Sequence, residues 1–305
     1  MDFSIVTNEI EKNSKNLNEE FRRLFHGRGG LWEEWRFLTI DSIGHILLIQ
    51  FFYDAPQEIQ QQIIDFTKEY IQTSQHDTIV VKHRYIRGCK NEIVCGELQE
   101  NEVAIENKIK FSINLLQNQN TGYFGDMKNG RNFIESISKD KKVLNLFSYT
   151  CGFSLFAKRG GATEIVNVDM AKKALSIGMK NHAINDLDPK GVSFLPYNIL
   201  KSFPKLIRKA PFDIIIIDPP TFQKGSFEAT KDYQKIIQKL PLLTSENAIV
   251  LASLNSPDLD ETFLIKQFEE LSNGFKFQKR LPNLPTFKSL DEQRSLKNLV
   301  FQRES

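Results

Sequence analysis

Val143-Leu-Asn-Leu-Phe-Ser-Tyr-Thr-Cys-Gly-Phe153 decides the class of fold, and Asp213-Ile-Ile-Ile-Ile-Asp-Pro-Pro-Thr-Phe222 answers it. Each begins as a short apolar run suited to a strand buried on both faces of a sheet. Each then stops abruptly, the first in a polar turn with one glycine and the second in two prolines. Parallel strands ending at one edge of an open α/β sheet leave a crevice, and such sheets bind their ligands there.

Outward from these stretches the pattern alternates. From Thr121 onward strands are predicted over 142–147, 164–168, 192–195, 212–217 and 248–251, with helices over 153–159, 171–184, 199–208, 231–240 and 260–271 between them. Two last strands, 275–281 and 296–302, follow one another without a helix. Repeated strand–helix units require a mostly parallel, doubly wound α/β sheet, and the closing pair predicts an antiparallel edge.

Upstream, residues 8–25 have helix-compatible spacing and lead into Phe21-Arg-Arg-Leu-Phe-His-Gly-Arg-Gly-Gly30, a basic segment stopped by glycines. Its Arg22, Arg23, His26 and Arg28 suit either phosphate contacts or a solvated helix end. Strand-like runs over 35–40 and 45–52 flank a turn at 41–44, and a helix over 57–73 carries Ile59, Ile63, Phe66 and Tyr70 at helical spacing. A strand over 78–84 and a hairpin over 101–112, turning at Asn107-Lys108, complete a small α+β unit. Lys82, His83, Arg84 and Arg87 form a second basic group, and Gln117-Asn-Gln-Asn120 reads as a linker. The expected organisation is a helical basic segment (1–30), an α+β accessory domain for substrate recognition (31–120) and the sheet domain (121–305).

A 40% apolar, 26% charged chain of 305 residues is ordinary for a globular protein, and a formal charge of +2 leaves any nucleic-acid surface to a local patch. Cys89, Cys95 and Cys151 lack metal-site spacing and fit a reduced intracellular protein, so no metal is expected. The start has no basic n-region with a long apolar core, and no stretch reaches membrane-spanning length. A cytoplasmic location without membrane association is therefore expected.

The loop Ser148-Tyr-Thr-Cys-Gly-Phe153 lets a ligand approach its backbone, but one glycine in place of three argues against a dinucleotide. Asp169, at the end of the second strand, is placed to accept hydrogen bonds from ribose hydroxyls, with Met170 to flank an adenine; capping the next helix is the structural alternative. Asn198 suits either the adenine edge or a helix cap. In Asp218-Pro219-Pro220-Thr221-Phe222 the prolines end the strand and remove two donors, leaving carbonyls, a carboxylate and a ring to seat a planar base.

Thr121-Gly-Tyr-Phe-Gly-Asp126 with Arg131, Leu144 through Phe153, Gly161-Ala162, Val168-Asp-Met170 and Phe212 through Phe222 together resemble class I S-adenosylmethionine-dependent methyltransferases. More narrowly they are similar to the bacterial 23S ribosomal RNA base methyltransferases, and residues 37–87 look like the accessory region of the guanine-N7 enzyme of that group. The resemblance covers most of the chain. It implies a seven-stranded Rossmann-like sheet with S-adenosyl-L-methionine over the first two strand ends and RNA as partner. By motif, Phe124, Asp126, Arg131, Phe147, Ser148, Gly152, Asp169, Met170 and Asn198 would hold the donor, and Asp218, Pro219, Pro220 and Phe222 would face the target. Two positions depart from the pattern: Cys151 stands where glycine is usual, and Asn198 where aspartate is common.

Relatives that methylate carbon-5 of cytosine use a cysteine after the fifth strand, because that carbon is a poor nucleophile. Here the position reads Leu251-Ala-Ser-Leu-Asn-Ser-Pro257, without cysteine. A guanine ring or exocyclic nitrogen in 23S rRNA is the expected target, and N7 loses no proton on alkylation. Two other readings stay open from sequence: an RNA-binding assembly factor with a degenerate donor pocket, and a methyltransferase for a protein or small molecule.

Overall fold

The tetra-isoleucine run shows how the sheet is built. Successive side chains on a strand point to opposite faces, and Ile215 and Ile217 enter one core with Leu144, Val166 and Phe203, while Ile214 and Ile216 enter a second with Val143, Phe153 and Ile165. All four are buried, each contributing roughly 1.5–3 kcal/mol relative to exposure. A strand apolar on both faces must lie between two helical layers.

The computed structural model describes residues 1–305 except Arg87, Cys89, Asn118, Thr221, Lys224, Gly225, Ser226, Asn273 and Ser305, and except the side chains of Phe222 and Gln223. The chain forms two units, Met1–Asp126 with Leu284–Asp291, and Met127–Asn283 with Glu292–Ser305.

The first unit contains α1 (Ser4–Asn13), β1 (Arg22–His26), β2 (Leu38–Ile43), β3 (Ile46–Phe51), α2 (Gln57–Ile71), β4 (Thr78–His83), β5 (Lys90–Cys95), β6 (Val103–Glu106) and β7 (Ile109–Ser112). A five-stranded sheet runs β1-β2-β3-β4-β5, with β3 and β4 parallel across α2. The helix expected over 8–25 is corrected: it ends at Asn13, and Arg22–His26 is an edge strand. A register shift between Arg23 and Phe25 buries the consecutive Leu24 and Phe25, which breaks the alternation of a strand and mimics a helical face. Val6 and Ile10 of α1 share one core with Leu24, Phe25, Ile40 and Ile49. The hairpin β6–β7 turns where expected, with positive φ at Asn107 (47°) and Lys108 (68°), as a two-residue primed turn requires.

The second unit contains α3 (Lys128–Ile137), β8 (Lys142–Leu146), α4 (Gly152–Arg159), β9 (Glu164–Val168), α5 (Lys172–Ile184), β10 (Val192–Leu195), α6 (Phe203–Ile207), β11 (Phe212–Ile217), β12 (Phe222–Gln223), β13 (Phe227–Glu228), α7 (Ala229–Ile237), α8 (Leu240–Leu243), β14 (Thr244–Leu254), α9 (Glu261–Leu271), β15 (Phe275–Leu281) and β16 (Lys297–Arg303). Its seven strands run β10-β9-β8-β11-β14-β16-β15. The first five are parallel, and β16 lies antiparallel between β14 and the edge strand β15. The expected doubly wound α/β sheet with an antiparallel closing pair is therefore the one observed. The chain winds outward from β8 to β10 and then returns to place β11 on the other side of β8, so the sheet reverses between β8 and β11. Ligands bind at such switch points.

Candidate methyl-donor and target site

The loop after β8 is held in an unusual conformation. Phe147, Tyr149 and Cys151 have positive φ values of 58°, 47° and 62°, a region disfavoured for side chains with a Cβ. Surrounding bonds enforce it. Ser148 N donates to Val168 O at 3.1 Å, Cys151 N to Ser148 O at 2.7 Å, and Asn181 of α5 donates to Thr150 O at 3.1 Å. Gly152 then begins α4.

Asp169 ties this loop to its neighbours. One carboxylate oxygen accepts from Tyr149 N at 2.9 Å and the other from Ala171 N at 2.8 Å. It thus closes the turn ahead of α5, whose own cap residue is Ala171, and still keeps lone pairs for further donors. Asn198 Oδ1 accepts from Lys201 N at 3.1 Å, the capping role anticipated for it, while its Nδ2 donates to Met170 Sδ at 3.6 Å. Met170 is 45% exposed, so an apolar thioether and an amide stand side by side at the ends of β9 and β10.

Cys151 is fully buried, and burial above all pushes its thiol up to about 12, with the Asp169 carboxylate adding to the effect. A thiol held protonated is a poor nucleophile. It fits because residue 178 is glycine: a Cβ built there would meet Cys151 Sγ at 2.5 Å. Beneath the loop, Asn145 Nδ2 donates to Asn167 Oδ1 (2.9 Å) and Asn167 Nδ2 to Ser154 Oγ (3.0 Å). Ser154 Oγ pairs with His182 Nε2 (3.0 Å), and His182 Nδ1 with Gly178 O (2.9 Å). Burial lowers the His182 pKa, which favours a neutral ring that accepts from Ser154 and donates to Gly178.

Across the switch point, β11 ends at Ile217, with Asp218 half-buried, Pro219 buried and Pro220 exposed. Thr221 and the Phe222 side chain lie outside the described residues. Behind this turn stands Tyr233 of α7, fully buried, its hydroxyl 3.2 Å from Ile217 O and 3.0 Å from Ser253 O. Burial, then the Asp218 carboxylate, raises its pKa, so it remains a donor that joins the ends of β11 and β14. Its ring meets Phe227 at 6.0 Å, and Phe227 meets Phe147 at 4.9 Å. Aromatic contacts therefore run from the β8 loop to the proline turn. Sequence reading missed Tyr233 and Phe227.

The loop after β14 is fixed from β16. Ser253 Oγ donates to Asn298 Oδ1 at 2.7 Å, and the buried Lys297 ammonium donates to the carbonyls of Ser256, Gln293 and Ser295 at 2.9, 2.7 and 2.8 Å. Arg131 of α3 is buried, 5.9 Å from the Phe156 ring. Phe124 (44% exposed) and Asp126 belong to the first unit. Asp213, by contrast, serves the opposite sheet edge, accepting from Lys142 N at 2.9 Å and Ser245 Oγ at 2.7 Å.

An acidic acceptor after β9, a thioether and an amide beside it, and a constrained loop after β8 fit the adenosyl part of S-adenosylmethionine. Comparisons with known proteins agree. Ribosomal RNA large subunit methyltransferase I of Aeromonas salmonicida is 32% identical over 208 residues, 65% of this chain and 52% of that protein. Ribosomal RNA large subunit methyltransferase K/L of Pseudoalteromonas translucida is 29% identical over 269 residues, 81% of this chain and 38% of that protein. The chain thus spans about half or less of the length of these two relatives. The solved structure of SMU.776, in complex with SAH, superposes with a TM-score of 0.87 at 25% identity, covering 98% of this chain and 80% of that one. A family model described as S-adenosylmethionine-dependent methyltransferase matches residues 22–302, and the chain belongs to that family.

Proposed function

We propose that this protein transfers a methyl group from S-adenosylmethionine to an RNA nucleobase, at a ring or exocyclic nitrogen of a guanine in large-subunit ribosomal RNA, without a cysteine nucleophile. The observation that carries the reading is the pairing of two seats across one switch point: Asp169 and the strained loop on the β8–β9 side, Asp218 with its prolines on the β11 side. The names of the relatives supply the RNA class.

The donor, when bound, presents an electrophilic methyl group. Asp169 accepts the ribose hydroxyls, Met170 and Asn198 flank the adenine, and Phe147, Ser148 and Gly152 line the approach; Phe124, Asp126 and Arg131 are assigned to the donor by their motif. Asp218 accepts from the amino edge of the target, while Pro219 and Pro220 form its wall, to which Phe222 is assigned by its motif. Guanine N7 has its own lone pair and loses no proton, so alignment in a dry pocket does most of the work, an effect of up to about 7–11 kcal/mol where geometry is fully controlled. A base inside a helix is out of reach, so the target is unpaired or flipped. In support of the cysteine-free route, Cys151 is buried and protonated, and serines stand at the end of β14. Residues 31–120 are proposed to recognise the RNA.

The test is incubation of purified protein with labelled donor and unmodified 23S rRNA, then nuclease digestion and mass spectrometry. Label in 7-methylguanosine or another N-methylguanosine is expected. Label in 5-methylcytidine would contradict the nitrogen target, and label in protein but not RNA would contradict the substrate class.

A further inference from the structure

Two lysines are fully buried among the described residues, Lys82 and Lys297. Taking an ammonium out of water costs free energy that only closely placed acceptors offset. Lys82 belongs to the first unit, where it donates to Leu115 O at 3.2 Å. Basic residues near it and upstream are bonded within the same unit: Arg22 to the carbonyls of Asn13, Lys15 and Asn16, Arg23 to Asp41, and His83 to Glu92.

Lys297 stands in the second unit, at the end of the β14–β16 ladder. In that antiparallel pairing it lies opposite Leu254, the last residue of β14. Its ammonium reaches past the ladder to Ser256 O at 2.9 Å and also donates to Gln293 O and Ser295 O at 2.7 and 2.8 Å. Leu254 and Ser256 are thus both fixed, one by the ladder and one by the cation, with the exposed Asn255 between them. β14 runs parallel to β11 with Ala252 opposite Ile217, so residues 254–256 leave the same sheet edge as Asp218 and Pro219. The Tyr233 hydroxyl, between Ile217 O and Ser253 O, ties these two strand ends together. Charge-assisted bonds from one ammonium to two separate segments are strong and directional. An apolar side chain of similar volume would fill the space without desolvating a charge, so filling space does not account for a lysine here.

We propose that Lys297 is a positioning residue for methyl transfer: by gripping Ser256 O it holds residues 254–256 as a second wall of the target seat, beside the Asp218 turn. It acts through this segment and not on the reacting atoms. The proposal rests on the assignment of the target to the β11 side given above, and it names what keeps that side rigid.

Methyl transfer to 23S rRNA at saturating donor and RNA, paired with SAH affinity by calorimetry, tests it. Lys297→Met keeps the length of the side chain and removes its N–H donors. Its kcat should fall about tenfold or more while SAH affinity stays within about twofold of the wild type. Ser256→Gly leaves the gripped carbonyl and the ammonium in place but loosens the backbone between the two anchors. Its kcat should fall about threefold or more, again with SAH affinity retained. Hydrogen exchange over residues 254–258 should quicken in both variants and stay unchanged over 147–153. A merely structural lysine would lower SAH affinity and turnover together, through the folded fraction, and that result overturns the proposal. So does wild-type turnover in the two variants; if Lys297→Met does not fold, Ser256→Gly decides in the same terms. Wild-type protein that labels no RNA overturns the target reading and this proposal with it, whereas labelling that both variants match overturns the proposal alone.

Discussion

The loop after β8 and the turn after β11 face one crevice but are shaped by different means. The first has a backbone held in left-handed conformations at Phe147, Tyr149 and Cys151, by hydrogen bonds that arrive from β9 and α5. The second is shaped by its own residues, since two prolines fix φ, and it is braced from behind by Tyr233. The contrast teaches that, on the proposed assignment, the donor seat is encoded in its surroundings and the target seat in its own sequence. Substitutions around the first should therefore act through neighbours, and those around the second through local geometry.

Among changes that leave both carboxylates in place, the largest effect is expected at Gly178. An added methyl would meet Cys151 Sγ, and overpacking of this kind costs roughly 1–3 kcal/mol. Gly178→Ala should lower stability by that amount in chemical denaturation and weaken SAH binding. Adding Cys151→Gly should return at least half of the loss, because the two side chains compete for one space; simple additivity of the two changes would break the link between α5 and the loop.

Tyr233→Phe comes next. It keeps the ring contact with Phe227 but leaves the Ile217 and Ser253 carbonyls without their shared donor, at a cost of about 1–2 kcal/mol in stability. Turnover with saturating RNA should fall about tenfold while SAH affinity stays unchanged. A matched loss of donor affinity would show that the phenol serves both seats.

A smaller effect should appear with pH. The His182 pKa is depressed by burial in the folded protein, so its neutral ring contributes stability that is complete above the unfolded value of ~6.5. That contribution is lost as pH falls through the folded value. Denaturant midpoints of the wild type should drop on acidification from pH 7, and His182→Gln should flatten the decline. Smallest of all, Cys151→Gly alone should change stability by less than ~1 kcal/mol, since relief of a left-handed residue offsets the lost packing.

The same contrast explains what could be read in advance. Asp218-Pro-Pro announced a strand end because proline acts on its own backbone, and the tetra-isoleucine run announced a doubly covered strand. Cys151 looked like an anomaly because its explanation, Gly178, lies in the next helix and no local pattern connects them. Tyr233 was invisible because its partners are backbone carbonyls, which carry no residue identity. α3 is hard to read because Gly130 and two asparagines weaken the helical signal; a Cβ at Gly130 would lie a tight 3.3 Å from the Phe153 ring. Arg22–His26 reads as helix because a bulge places two buried residues in succession. The inclusion of Leu284–Asp291 in the first unit, where Leu290 N donates to Gly29 O at 2.9 Å and Phe287 packs on His26 at 5.3 Å, joins segments far apart in sequence.

The separation of the two seats is tested most directly by calorimetric titration of SAH into Asp169→Ala and Asp218→Ala, alongside methyl transfer to 23S rRNA by each. Asp169→Ala removes the loop tether and the proposed ribose acceptor together, charge-assisted bonds of roughly 1.5–3 kcal/mol each, and should lose SAH affinity at least a hundredfold. Asp218→Ala should bind SAH as the wild type does and fail to methylate. Retained SAH binding in Asp169→Ala, or an equal loss of it in Asp218→Ala, would contradict the assignment of donor and target to opposite sides of the switch point.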